Sequence, residues 1–132
     1  MKKTFFILQI FVALSLSLFS SVSAFAGSLV IEVPDDPEPT TETFTYQCDL
    51  GKSKENLEVT YLNAGTISLV DFTWKGKRIV GSNVLSASGD KYAGGAYIWW
   101  TSKGEATFYD LINDPNEEKP ILCVEEKDST VK

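Results

Sequence analysis

Residues Ser86 to Gly104 read SASGDKYAGGAYIWWTSKG. Two polar segments, Ser88 to Tyr92 and Thr101 to Gly104, lie on either side of an aromatic run, Tyr97 to Trp100. Such a run is typical of a β-strand and not of a free loop. Gly89 permits a sharp reversal in the first polar segment, because glycine adopts positive φ at low cost. The pattern therefore predicts a strand with a shaped loop at each end, and loops on a rigid sheet are where binding groups usually lie.

Short alternating segments continue this pattern along the rest of the chain. Apolar and polar residues alternate at period two over 44–48 and 57–62, and the turn-forming segment 51–54 separates them. Further candidate strands cover 66–74, 78–85, 105–111 and 120–124. Because the connections are short, neighbouring strands are expected to pair antiparallel in chain order. The sequence thus predicts an all-β domain of about eight strands, a small antiparallel barrel or a tight sandwich.

Residues 1–26 have the pattern of a cleaved signal peptide. Lys2 and Lys3 precede an apolar run from Phe5 to Phe19, and Ala24-Phe25-Ala26 matches an A-x-A cleavage site. The apolar run is shorter than the roughly 20 residues that a membrane span needs. The segment contains no cysteine, so a lipobox is missing. We therefore expect export to the periplasm as a soluble protein without a stable membrane anchor.

The remaining chain is predicted to consist of a tether and one domain. Residues 27–41 combine three prolines with acidic residues, a composition that favours an extended segment, and residues 42–132 form the domain. The apolar patch Leu29 to Val33 is the exception in the tether. Two roles are open for this patch: an additional edge strand, or a contact in a homodimer.

Charge restricts the partners that the exported protein can bind. The full chain has a net charge of −6, and removal of residues 1–26, which carry two lysines and no acid, makes it −8. This balance disfavours nucleic acid and anionic lipid surfaces and favours cationic partners.

Cysteine and histidine usage argues against enzyme chemistry. The chain has two cysteines, Cys48 and Cys123, and no histidine. In an exported protein this predicts one disulfide and neither a metal site nor a thiol nucleophile. Ser88 and Lys91 match the S-x-x-K pattern of serine acyltransferases, but those enzymes need a helix and a much longer chain. We predict no catalytic residues, no metal and no cofactor.

The aromatic run has an ordinary structural explanation and a functional one. Tyr97, Trp99 and Trp100 fit a strand that alternates between barrel core and barrel surface. Alternatively, an exposed ring would stack on a sugar, which makes a periplasmic module for a sugar or small ligand the second functional hypothesis.

Beyond these patterns, residues 44–124 resemble the MliC/PliC family of inhibitors of c-type lysozyme. The resemblance lies in an S-G-x-x-Y segment, Ser88 to Tyr92, and in an aromatic strand that runs into Lys103-Gly104. The segment Tyr46-Gln47-Cys48-Asp49 and the late Cys123 also match the family pattern of a disulfide joining the two ends. Thr101 is an extra residue relative to that pattern, and it would shift Lys103 relative to Ser88.

The resemblance implies a partner and a set of contact residues. The partner would be a cationic, host-derived c-type lysozyme, and the absent lipobox cysteine corresponds to the soluble PliC type. Ser88 would supply a hydroxyl and Lys103 a cation to the carboxyl groups of the enzyme. Gly89 would keep its loop narrow, and Tyr92 would brace it. The other contact residues that the resemblance implies are Tyr97 and Gly104.

Overall fold

The computed structural model describes residues 26–127, and the chain divides into two units between Ile31 and Glu32. The signal-peptide prediction falls on residues that lie almost entirely outside this range. The described part of the first unit, residues 26–31, forms no helix or strand. In the second unit, residues 32–39 are also without strand structure, so the edge strand suggested for Leu29 to Val33 is not formed. A closed sheet explains this result, because it leaves no free edge for an added strand.

Eight strands make up the second unit. They are β1 (Thr40–Asp49), β2 (Lys54–Ala64), β3 (Ile67–Trp74), β4 (Lys77–Val84), β5 (Asp90–Gly94), β6 (Tyr97–Ser102), β7 (Glu105–Asp110) and β8 (Ile121–Glu125). Each strand pairs antiparallel with the next, and β1 pairs with β8, so the sheet closes into a barrel. The prediction of an all-β antiparallel barrel is confirmed, and the sandwich alternative is excluded. Between residues 26 and 127 there is no helix with the length and apolar character that a membrane crossing requires.

The predicted disulfide joins the strands at which the barrel closes. Cys48 on β1 lies directly opposite Cys123 on β8, with their Cα atoms 4.0 Å apart, and the two sulfur atoms are bonded. Only four residue pairs form this seam. The covalent bond therefore reinforces a short seam at the point where the first strand meets the last.

Aromatic side chains fill the interior of the barrel. Trp99 packs edge-on against Tyr46, with ring centroids 5.1 Å apart, and Phe108 lies 5.0 Å from Trp74 and 5.4 Å from Phe72. All five rings are buried, because alternate residues of every strand face inward. An interior packed in this way is a hydrophobic core made of the barrel's own side chains.

Asp110 is a largely buried acid at the end of β7. Its carboxylate accepts hydrogen bonds from the backbone N–H of Ile112 at 3.1 Å and from the side-chain amide of Asn113 at 2.7 Å. Burial by itself would raise the pKa of Asp110, but these hydrogen bonds and the charge of Lys75 together lower it. The charged carboxylate therefore holds the start of the β7–β8 connection in place.

The lowered pKa of Asp110 predicts a loss of stability in acid. A depressed pKa in the folded protein contributes stability above the unfolded pKa, and this contribution disappears as the pH falls through the folded value. We expect Asp110→Asn to lower the free energy of unfolding by about 1 to 2 kcal/mol at pH 7 and by less at low pH. Urea unfolding at pH 7 and pH 3 measures the difference, with Asp35→Asn in the exposed segment before β1 as control. An equal loss of unfolding free energy at pH 7 and pH 3 would show that the charged form of Asp110 does not stabilise the fold.

Candidate functional site

Both loops singled out in the sequence lie at one end of the barrel, which we call the mouth. The β4–β5 connection, residues 85–89, and the β6–β7 turn, Lys103-Gly104, share this end because two strands separate them and the chain reverses twice. The opposite end, which we call the base, carries the connections 50–53, 75–76, 95–96 and 111–120.

Lys103 occupies the tip of a tight hairpin turn. Ser102 pairs with Glu105, and the two residues between them have φ values of 52° for Lys103 and 79° for Gly104. Positive φ at both central positions is the geometry of a type I′ turn, whose twist matches that of the flanking strands. The turn presents the exposed lysine side chain beyond the end of the sheet. Lys75-Gly76 at the base has nearly the same geometry, with φ values of 48° and 77°.

The loop that carries Ser88 is held by three interactions. The indole N–H of Trp100 donates to the Ser88 carbonyl at 2.8 Å, and the Ser86 hydroxyl donates to the Gly89 carbonyl at 2.9 Å. The Lys91 ammonium lies 4.8 Å from the centre of the Trp100 ring, a distance that allows a cation–π contact. These interactions fix the backbone of the loop. Both of these hydrogen bonds end on backbone carbonyls, and within the described residues the Ser88 hydroxyl takes part in neither.

Gly89 brings the Ser88 loop against the strand that leads to Lys103. Its φ is +65°, and a Cβ atom at this position would lie 2.2 Å from the Thr101 carbonyl oxygen and 3.3 Å from Cβ of Ser102. Thr101 itself is a regular β6 residue that pairs with Asp90 and Ala106. Thr101 is thus a regular part of β6, and the Ser88 loop approaches β6 at Thr101 and Ser102, the two residues before Lys103.

Replacing Gly89 by alanine is expected to disrupt this contact. Gly95 offers a matched control, because its φ is +56° but no atom lies within 4 Å of the added Cβ position. Both substitutions introduce strain at positive φ, and only Gly89→Ala adds a clash with backbone. We expect Gly89→Ala to lower the free energy of unfolding by about 1 kcal/mol more than Gly95→Ala. Urea unfolding of both variants measures this difference, and equal losses would show that the close approach is unimportant.

A polar hollow of about 430 Å³ lies at the mouth and is lined by residues of both loops and of β1, β2 and β3. Its floor contains the Tyr61 hydroxyl, which accepts a hydrogen bond from the Trp99 indole N–H at 2.9 Å and bonds to the Tyr46 hydroxyl at 2.9 Å. Burial, with smaller contributions from neighbouring groups, raises the pKa of both tyrosines, so the hydroxyls stay protonated. Glu42, Asp90 and Lys103 are the charged residues that line the hollow.

The structure brings together most, but not all, of the predicted contact residues. Ser88, Gly89, Lys103 and Gly104 lie at the mouth, and Tyr92 is buried beside them, with its hydroxyl 3.2 Å from that of Ser68. Tyr92 is therefore placed to support the mouth. Tyr97 lies at the base, because it begins β6 and stacks on Phe108, with ring centroids 5.9 Å apart.

Sequence reasoning missed two residues that position the Ser88 loop, Ser86 and Trp100. Neither side chain was expected to contact the loop backbone. The only sequence signal was the adjacency of Trp99 and Trp100, which requires that one ring face inward and the other outward. The structure shows Trp99 in the core and Trp100 on the outer face beside the loop.

A filled barrel with two fixed polar loops at one end is suited to binding a macromolecule through its surface. Residues 46–117 match the family described as MliC, membrane-bound lysozyme-inhibitor of c-type lysozyme, and the chain belongs to this family. The family is one of inhibitors and not of enzymes.

Two relatives and one solved structure share this similarity. A membrane-bound lysozyme inhibitor of C-type lysozyme from Pseudomonas aeruginosa is 44% identical over 96 residues, which cover 72% of this chain and 73% of the relative. A protein of the same name from Cupriavidus necator is 40% identical over 78 residues, 59% of this chain and 60% of the relative. The crystal structure of Pseudomonas aeruginosa MliC in complex with hen egg white lysozyme superposes with a TM-score of 0.60 at 36% identity, over 78% of this chain and all of that one.

The names of the relatives point to the cell envelope as the location. Both are called membrane-bound, whereas the soluble PliC type was expected from the missing lipobox cysteine. The similarity therefore identifies the family and leaves the soluble type as a prediction.

Proposed function

We propose that this protein inhibits c-type lysozyme by inserting the Ser88 loop and the Lys103 turn into the substrate cleft of the enzyme. The observation that carries the proposal is the likeness, at 36% identity, to a family member solved in complex with hen egg white lysozyme. The position of both loops at one end of the barrel supports it, because a single cleft can receive them together.

The chemistry of the two side chains suits the target. Lysozyme uses one protonated and one ionised carboxyl group on either side of the bond that it cleaves. The Ser88 hydroxyl can hydrogen-bond to a carboxyl group, and the Lys103 ammonium can pair with a carboxylate. A nearby ammonium favours the ionised form of a carboxyl group, so Lys103 would also suppress the protonated general acid. Inhibition would thus combine exclusion of the sugar with a change in protonation.

The net charge supports fast association with a basic, host-derived enzyme. Residues 27–132 carry a net charge of −8, and opposite charges accelerate the encounter of two proteins. Protection of the peptidoglycan against such an enzyme is the biological role that we propose.

Location and oligomeric state form part of the proposal. We infer release into the periplasm without a lipid anchor, because residues 1–26 contain no cysteine. Recovery of the protein in the membrane fraction after osmotic shock would contradict this. A homodimer through Leu29 to Val33 stays a prediction, and light scattering at two protein concentrations tests it.

A module for a sugar or small ligand is the competing hypothesis, and the contacts of the aromatic side chains weigh against it. Trp99 is buried, Tyr97 stacks on Phe108, and the indole N–H and ring face of Trp100 are engaged by Ser88 and Lys91. Trp99 is thus closed to a sugar, and one ring face of Tyr97 and one of Trp100 are already in contact with other side chains, which disfavours sugar stacking.

A bacterial-wall clearing assay separates the two hypotheses. Purified residues 27–132 are added to a c-type lysozyme acting on cell walls, and binding of chitooligosaccharide to the purified protein is measured by calorimetry. We expect inhibition without sugar binding. Sugar binding without inhibition would establish the competing hypothesis.

A further inference from the structure

We propose that an apolar patch beside the Ser88 loop binds the wall of the lysozyme cleft next to the catalytic carboxyl groups. This inference rests on the proposed function. The patch, which we call the mouth patch, consists of Ile67, Val84 and Leu85.

Leu85 is the residue most exposed to solvent in the patch. Its exposed fraction is 99%, against 39% for Ile67 and 38% for Val84. The pairing of β3 with β4 ends toward the mouth at Leu69 opposite Ser82, and Ile67 and Val84 each lie two residues beyond that pair. Ile67 and Val84 therefore lie near the ends of neighbouring strands at the mouth, and Leu85 follows Val84, three residues before Ser88.

The ordered backbone of the Ser88 loop supports a binding role for the exposed Leu85 side chain. Single exposed apolar residues are common on protein surfaces, but apolar residues grouped beside a binding loop are typical of interaction sites. The hydrogen bonds from Ser86 and Trp100 fix the backbone immediately after Leu85. Because the backbone beside Leu85 is already ordered, binding would restrict mainly its side chain, so the entropy cost would be smaller than for a leucine on a free loop.

The mouth patch and Lys103 are expected to respond differently to salt. Added salt screens an exposed ion pair and the attraction between oppositely charged proteins, whereas burial of apolar surface does not depend on that attraction. The patch would therefore maintain inhibition at ionic strengths that weaken the charged contacts. It would also select enzymes whose cleft wall is apolar at this position.

The test compares Leu85→Ser with Ile112→Ser, which alters an exposed apolar residue at the base whose exposed fraction is 58%. We expect Leu85→Ser to raise the inhibition constant at least about tenfold at both low and high salt, as burial of a leucine side chain would predict. Ile112→Ser should leave the constant within about twofold. The thermal unfolding temperature should be unchanged by Leu85→Ser, because the side chain is exposed. Leu85→Ala, which removes the same apolar surface without adding a hydroxyl, should weaken inhibition in the same direction.

The outcomes separate this inference from the proposed function. If the unaltered protein inhibits lysozyme and Leu85→Ser inhibits equally well, the mouth patch is not a contact surface. If light scattering shows that Leu85→Ser converts a dimer to a monomer without loss of inhibition, the patch joins two copies of this chain, and the inference is again wrong. Failure of the unaltered protein to inhibit any c-type enzyme would instead refute the proposed function.

Discussion

Replacement of both Cys48 and Cys123 by alanine is expected to lower the free energy of unfolding by about 4 kcal/mol. The disulfide joins residues that are 75 positions apart in the sequence. This link lowers the conformational entropy of the unfolded chain and thereby stabilises the folded state. Small domains have a net stability of roughly 5 to 15 kcal/mol, so the loss would be a large part of the total. Because only four residue pairs join β1 to β8, the noncovalent seam offers little compensation.

Chemical denaturation of the unaltered protein and of the double variant measures this effect. A reducing agent should lower the stability of the unaltered protein to that of the variant and should leave the variant unchanged, which separates the bond from the loss of two buried sulfur atoms. A difference below about 1 kcal/mol would show that β-sheet pairing alone closes the barrel.

The second large effect is expected at Lys103, where alanine should weaken inhibition by about 2 kcal/mol, or roughly 30-fold. The substitution makes an acidic protein more acidic, so attraction between net charges predicts equal or tighter binding to a basic enzyme. A direct ion pair in the cleft predicts the opposite, and mainly through faster dissociation. The sign of the change therefore distinguishes a specific contact from general attraction.

Lys75→Ala is the matched control for Lys103→Ala. Lys75 has the same position in a Lys-Gly turn of nearly identical φ values, and its removal changes the net charge equally. It lies at the base, so inhibition should stay within about twofold of that of the unaltered protein. Equal losses from the two substitutions would argue against a contact specific to the mouth. Lys52, in another turn at the base, offers a second control.

Much of the barrel was predictable because strand patterns and short connections depend on local sequence. Residues 44–48 and 57–62 alternate with period two, and short antiparallel connections leave few alternatives for strand order. The disulfide was predicted from two cysteines in a chain that is expected to be exported, and the structure confirms the bond. Whether the sheet closes into a barrel depends on the pairing of β1 with β8, a long-range contact that alternation alone cannot show.

Within the site, strand geometry explains why Ser88 and Lys103 lie together at the mouth and why Tyr97 does not. Ser88 and Lys103 lie at the same end because β5 and β6 lie between them. Tyr97 shares β6 with Thr101, but a strand of six residues is nearly 20 Å long, and Tyr97 lies at its far end. Proximity in sequence therefore did not predict proximity in space.

The supporting contacts of the loop could not be predicted, because they depend on which tryptophan faces outward. Trp99 and Trp100 are equally suited to a core by composition, and only the strand register assigns Trp100 to the surface. The contact between Gly89 and the Thr101 carbonyl likewise depends on atomic distances between two strands.

The most direct test of the mouth as the inhibitory surface is the inhibition constant of two double variants against one c-type lysozyme. Ser88→Ala with Lys103→Ala alters the mouth, and Ser53→Ala with Lys75→Ala makes the same chemical changes at the base. We expect the mouth variant to lose at least about 100-fold in affinity, because a hydrogen bond to a charged group and an ion pair are both removed, while the base variant stays within about twofold. Thermal unfolding must first show that both remain folded. Equal inhibition by the two double variants would show that the mouth is not the inhibitory surface.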